Sequence, residues 1–404
     1  MRTGPLQALL LISAVTACGA ATSPTAGQGT DNGQSATAGQ TSGGEPGRPN
    51  QRPFSITEVA SFTTPWAMDF LPGSGVPTTS AALVTEKAGR LWLVNTADGS
   101  RQQVGGVPQV KVAGQGGLGD VVAHPGFAGN QRVYLSYAEA GANGTSGAAL
   151  GYGRLVLGQG APRIEGFKVI WRQSPKVTGN GHFGHRIAFA PDGTIFLSSS
   201  DRQKMTPAQD QSSDLGKVVH LTDEGAPAPG NPWANRGGRQ PTYWSMGHRN
   251  ILGLAFAPDG RLWATEMGPQ GGDELNLIVA GRNYGWPVAS YGSHYGGEAI
   301  PDEHRSRGFE EPKLWWNPSI APAGMIVYSG DLFPQWKGDA IFGALVGEAL
   351  IRADLDGAGA RKADHWAMDA RIREVAQGPR GEVYLLQDGR DGAGGKLLRL
   401  EPAR

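Results

Sequence analysis

One pattern recurs along this chain: a short polar turn ending in glycine, then a strand with large apolar residues at alternate positions. It reads Glu86-Lys87-Ala88-Gly89 before Arg90-Leu91-Trp92-Leu93, and His124-Pro125-Gly126-Phe127 before Arg132-Val133-Tyr134-Leu135. It returns at Pro191-Asp192-Gly193, Pro258-Asp259-Gly260, Trp336-Lys337-Gly338 and Pro379-Arg380-Gly381. Pro-Asp-Gly presets a turn because proline fixes φ and glycine accepts positive φ, and a period of two in the residues that follow is the mark of a half-buried strand. The near-copies Phe189-Ala190-Pro191-Asp192-Gly193 and Phe256-Ala257-Pro258-Asp259-Gly260 point to a repeated unit, which the hairpins of an ordinary sandwich do not explain. Turns marked at Gly89, Gly129, Gly193, Gly260, Gly338 and Gly381 stand between 40 and 78 residues apart. A four-stranded blade takes roughly 40 to 50 residues, so the shortest spacings hold one blade each and the longer ones add loops. The pattern predicts an all-β, six-bladed β-propeller over residues 53–404, with long inter-strand loops that could carry function. The 63 glycines and 28 prolines suit such a turn-rich chain, and no helix of any length is expected.

The first 52 residues read differently. Arg2 and an apolar run from Leu6 to Val15 have the shape of a signal peptide over residues 1–18, since the run is too short to span a bilayer. Val15-Thr16-Ala17-Cys18 resembles the lipobox of bacterial lipoproteins, in which the cysteine is acylated; a plain signal peptide cut near Ala20 or Ala21 is the alternative. Cys18 is the single cysteine, so no intrachain disulfide forms. Residues 19–52 are Gly, Ser, Thr, Ala, Gln and Pro with almost no bulky apolar side chain, the composition of a flexible tether. These features predict an exported protein of the periplasm or cell envelope, anchored through a lipid on Cys18. With 36 Lys plus Arg against 36 Asp plus Glu, no overall field draws the chain to nucleic acid, and small molecules are the expected partners.

Several segments gather polar residues where strands and turns give them no packing reason. Gly114-Gln115-Gly116-Gly117-Leu118-Gly119 lets backbone approach a ligand, with Gln115 as donor and acceptor. Gly181-His182-Phe183-Gly184-His185-Arg186 holds two histidines, natural bases near neutral pH, or else loop histidines bonded to backbone. Gly247-His248-Arg249-Asn250 pairs a guanidinium fork with an amide, suited to anionic oxygen or to a structural link between blades. Glu266-Met267-Gly268-Pro269-Gln270-Gly271-Gly272-Asp273-Glu274, followed by Asn283-Tyr284-Gly285-Trp286-Pro287, offers the carboxylate and carbonyl oxygens a hard cation takes, without EF-hand spacing. Arg371-Ile372-Arg373 sets two cations at i and i+2 of an extended segment, for a polyanionic ligand or for solvent.

In this order, over roughly residues 54–402, these segments resemble the soluble aldose sugar dehydrogenases dependent on pyrroloquinoline quinone (PQQ), the glucose/sorbosone dehydrogenase family. The resemblance implies PQQ across one mouth of the propeller and calcium beside it. It implies His182 as the general base and Gln115, Arg249, Asn250, Tyr295, Asn317, Ser319, Arg371 and Arg373 as cofactor contacts. Gly268 and Pro269 correspond to carbonyl donors to a catalytic calcium, and Glu274 with the Tyr284 region to a second calcium site. The implied reaction oxidises an aldose at its anomeric carbon to the lactone: His182 removes the hydroxyl proton as hydride passes to the quinone, calcium polarises the quinone oxygen, and Arg249 stabilises the charge arriving there. Electrons then leave for an external acceptor that the sequence does not identify.

The chain also departs from the family. Val346 stands where relatives often carry a lysine near the quinone, His185 stands where many have glycine and either narrows the sugar pocket or points to solvent, and Gly181 replaces an acidic residue of the glucose-specific branch. A calcium-dependent propeller lactonase or esterase, or a non-catalytic glycan-binding propeller, would use many of the same residue types and sets the alternatives for function.

Overall fold

The alternating strands pair antiparallel with their chain neighbours into six four-stranded sheets, the blades of a six-bladed β-propeller. The computed structural model describes residues 52–73, 80–158, 160–389 and 394–403. The signal-like segment, Cys18 and all of the tether but its last residue lie outside the described residues. Blades 1 to 5 occupy residues 65–104, 118–172, 184–246, 251–316 and 322–367 in turn. Blade 6 takes three strands from residues 371–402 and its outermost strand, Phe54–Phe62, from the beginning of the fold. That strand runs antiparallel to Gly395–Pro402, from Phe54 opposite Pro402 to Phe62 opposite Gly395, and so ties the first part of the ring to the last. The described residues contain one short α-helix, Phe127–Asn130, in the first turn of blade 2.

Five of the six glycine turns fall at equivalent places, between the first and second strands of blades 2 to 6. The turn at Gly89 does not: it joins the second and third strands of blade 1, Ala81–Glu86 and Arg90–Asn95. The equivalent turn in blade 1 begins at Leu71-Pro72-Gly73, after the strand Pro65–Phe70. The expected six blades are present, and each blade supplies one copy of the turn.

The first strands of neighbouring blades pack on one another in a ring around the central channel. The core is divided among the six seams between blades. Leu83 and Leu91 meet Val121 and Leu135 at the seam of blades 1 and 2, and Tyr134 and Leu150 meet Ile187 and Leu197 at the next. The last seam, where Met68 and Val84 face Tyr384 and Leu386, completes the circle. Because each blade is covered on both faces, strands such as Ala81–Glu86 and Asp273–Ile278 are buried at every position, and their alternation is lost as it is in doubly covered sheets.

Leu386 is fully buried in the closing seam. Leu386→Ala is expected to lower unfolding free energy by about 2 to 5 kcal/mol, as cavity-forming core truncations do. Urea denaturation checks it, and an unchanged midpoint contradicts the closing role of this seam.

Candidate active site

In an antiparallel blade the start of the first strand and the end of the second lie at the same mouth of the channel. The candidate segments take these places. Gln115, His182 and Asn250 lie just before the first strands of blades 2, 3 and 4, and Arg371 opens that of blade 6. A cavity of about 850 Å³ opens there, and Gln115, Asn250, Arg371 and Arg373 line it. Each first strand also slips register against the second near this mouth, between Pro65 and Met68, Gly184 and Ile187, Ile251 and Gly253, or Ile372 and Glu374, with the same slip in blades 2 and 5. A bulge re-aims side chains. Trp66, His185, Leu252 and Arg373 fall within these slips, and all four line the cavity.

His182 is not in this lining; it adjoins it through its backbone N–H, which donates to Oε1 of the lining residue Gln115 at 2.7 Å. Its Nδ1 lies 2.7 Å from Asp201 Oδ1. Asp201 is fully buried and also accepts from Trp286 Nε1 at 2.8 Å and from the Gln203 N–H at 2.8 Å. An ionised carboxylate only accepts, so it places the proton of neutral His182 on Nδ1 and leaves the Nε2 lone pair as the base. Burial holds His182 below the ordinary imidazole value, while Asp201 pulls it back up. Asp201 was missed by the sequence reading; its signal is the run Ser198-Ser199-Ser200-Asp201-Arg202, where an apolar strand turns polar at its end.

Arg249 is nearly buried, donating from Nη1 to Met267 O at 3.0 Å and from Nη2 to the Tyr295 hydroxyl at 3.1 Å. Its guanidinium carbon lies 5.2 Å from the ring centre of Trp286. Tyr295 itself is 76% exposed at the rim. Arg371 Nε and Arg373 Nη2 converge on Asp388 Oδ2 at 3.4 and 2.6 Å. Asn317 and Ser319 do not line the cavity: Asn317 is exposed, and the Ser319 hydroxyl donates to Asp273 Oδ2 at 2.7 Å, which fixes the backbone ahead of blade 5.

The floor is aromatic. His185 is 2% exposed, so it does not point to solvent; it stacks on Trp66 at 5.0 Å and 29°, and burial pushes its pKa down to about 3, so it stays neutral. Gly119 makes room for it, because a Cβ there would stand 1.9 Å from the imidazole. Arg186 lies 4.2 Å from the Trp66 ring centre and ion-pairs with Glu374 and, at 3.4 Å, with Asp120.

A second cavity, of about 10 Å³, brings Gly268, Glu274 and Tyr284 together with Glu266 and Arg249. Pro269 is not in its lining. The Tyr284 hydroxyl donates to Leu277 O and accepts the Val279 N–H, which commits the phenol and leaves only backbone oxygen for a cation. Burial and then the charge of Glu266 push the Glu274 carboxyl well above the usual range, while Asn276 Nδ2 donates to Glu274 at 2.9 Å and to Glu266 at 3.4 Å. Among the described residues no cluster of three or more acid, imidazole or thiol side chains stands ready for a metal. A hard cation here would draw on Glu274 and on carbonyl oxygens, since Glu266 already accepts from the Arg249 N–H and bonds His248 Nδ1 at 2.9 Å.

The family model described as Glucose / Sorbosone dehydrogenase matches residues 62–399. The chain belongs to this family. It is 38% identical to Aldose sugar dehydrogenase YliI of Escherichia coli (strain K12) over 343 residues, 84% of this chain and 90% of that protein. Among solved structures, a glucose dehydrogenase at 43% identity superposes with a TM-score of 0.79, covering 85% of this chain and 99% of that one. The PQQ-bound aldose sugar dehydrogenase of Streptomyces coelicolor, 28% identical, gives a TM-score of 0.68 over 86% of this chain and 98% of its own. Membership makes the protein an oxidoreductase of the PQQ-dependent sugar dehydrogenase family. In this dehydrogenase the His182–Asp201 pair is the candidate proton-handling unit. Because the Asp201 charge raises the His182 pKa against burial, Asp201→Asn is expected to move the imidazole titration, followed by NMR, to lower pH than in the wild type. A midpoint that stays in place or rises contradicts the pairing.

Proposed function

We propose that this dehydrogenase oxidises aldose sugars at the anomeric carbon to the lactone, using PQQ at the large cavity with calcium beside it and passing electrons to an external acceptor. The observation that carries the reading is the convergence of Arg371, Arg373, Gln115 and Asn250 on one cavity, with the His182–Asp201 pair at its edge. The residues fit such a guest. PQQ is a flat ortho-quinone with three carboxylates, and Arg373 Nε, Arg249 Nε and Asn250 Oδ1 are buried polar atoms with no hydrogen-bond partner among the described residues. Arg373 and Asn250 line the large cavity and Arg249 the smaller one, and orphaned donors and acceptors of this kind mark where a polar ligand completes them. PQQ bound in the Streptomyces relative supports the same assignment here.

When bound, PQQ supplies the hydride-accepting carbonyl and calcium the Lewis acid that polarises it. The chain supplies the rest. His182 Nε2 takes the proton of the anomeric hydroxyl, and Asp201 stabilises the imidazolium that results. Arg249, held by Met267 and Tyr295, keeps a fixed positive charge beside the reacting groups. Trp66 and His185 form a floor that limits water from below, and the neutrality of His185 adds no competing charge. In the smaller cavity Gly268 would offer a backbone oxygen to the catalytic calcium and Glu274 a carboxylate to a second ion, while Glu266 is already bonded to the Arg249 N–H and, at 2.9 Å, to His248 Nδ1.

Purified protein loaded with PQQ and calcium is expected to reduce a dye with glucose and other aldoses, and His182→Ala to lose about 10²- to 10⁴-fold in turnover. Wild-type turnover in that variant overturns the base assignment, and lactone hydrolysis without PQQ would favour a hydrolase instead.

A further inference from the structure

The positive wall of the cavity does not end with the two arginines. Lys87 follows the second strand of blade 1, so it reaches the site mouth on the one glycine turn that falls out of step with the others. Its backbone is pinned from both sides: the N–H donates to Thr64 O at 3.0 Å, and the carbonyl accepts the Leu118 N–H at 3.1 Å. Gly117, at φ 144°, lies so close that a Cβ would stand 2.2 Å from the Lys87 carbonyl oxygen. The glycine-rich loop that carries Gln115 is therefore moulded onto Lys87.

The side chain lines the cavity, and its ammonium donates to Gly114 O at 2.7 Å. An ammonium has three N–H donors, so two are left for a guest. Across the seam between blades 1 and 6 stand Arg373 and Asp388. Burial and then the charge of Arg373 lower the Lys87 pKa, and Asp388 opposes them, which places all three groups within electrostatic reach. Arg371 and Arg373 share that carboxylate and Lys87 feels its charge; Glu348 is the cavity's other acid.

We propose that Lys87 is a carboxylate-binding residue of the cofactor site: its ammonium takes one acid group of the planar tri-acid while the Arg371–Arg373 pair takes another. The assignment rests on the PQQ reading above. It also gives the chain a cavity ammonium despite Val346, which is 62% exposed and lines the same cavity without any charge.

Equilibrium dialysis of the full chain with calcium, against PQQ and against its trimethyl ester, tests this without recourse to turnover. Lys87→Met is expected to weaken PQQ binding about ten- to a hundredfold, the worth of one charge-assisted hydrogen bond, and to leave the uncharged ester within about twofold. The double variant Lys87→Met/Val346→Lys, which returns an ammonium to the cavity, is expected to regain most of the lost affinity. Unchanged PQQ affinity in Lys87→Met overturns the proposal. So does an equal loss for PQQ and ester, since that would report packing in place of charge. A wild-type chain that binds no PQQ would instead overturn the cofactor reading on which the proposal stands.

Discussion

The pairing of Phe54–Phe62 with Gly395–Pro402 is the constraint on which the rest depends. A propeller buries its apolar surface in seams between blades, and a ring with one seam open would leave the Met68, Val84, Tyr384 and Leu386 cluster without one of its sides. Closing it with a strand from the other end of the fold also covers an edge that would otherwise offer unpaired N–H and C=O groups. Once the ring is shut, the starts of six first strands and the ends of six second strands converge on one mouth. Chemistry can then be assembled from residues as distant in sequence as Lys87, His182 and Arg373.

At that mouth the physical problem is charge. Arg371 and Arg373 are held by Asp388 as one fork, Arg249 by Met267 and Tyr295, and Lys87 by Gly114, so these cations are oriented before any ligand arrives. Preorganised donors cost little to rearrange on binding, which is why they favour an acidic, planar guest over water. The base is handled differently. His182 is kept neutral by burial and kept in one tautomer by Asp201, so its proton-accepting nitrogen is set by a neighbour that never needs to touch the substrate.

Much of this was legible in the sequence because glycine turns and polar loops leave local marks. Pro191-Asp192-Gly193 and its relatives announced the blades, yet in blades 2 to 6 they sit at the end of the first strand, the mouth opposite the site. Gly89 was read as one more copy because its local chemistry is the same; that it joins a different pair of strands depends on pairing, which a turn does not encode. Gln115 and Asn250 could be picked out because loops give such residues no packing reason, and Arg371 and Arg373 because two cations stand at i and i+2 of an extended segment. Trp66, Lys87 and Asp388 could not, since their roles arise from contacts between blades and from strand slips that leave no periodic signature. Ser319 shows the converse: a polar residue in a suggestive motif whose hydroxyl Asp273 had already claimed.

The central claim is that the arginine fork, the amide pair and the His182–Asp201 unit surround a single flat acidic guest. A crystal structure of the chain soaked with PQQ and calcium tests it most directly. The account predicts the ligand in the 850 Å³ cavity, with carboxylate oxygens within hydrogen-bond distance of Arg371 and Arg373 and the quinone edge facing His182. Ligand density elsewhere on the propeller, or a quinone turned away from His182, would contradict it.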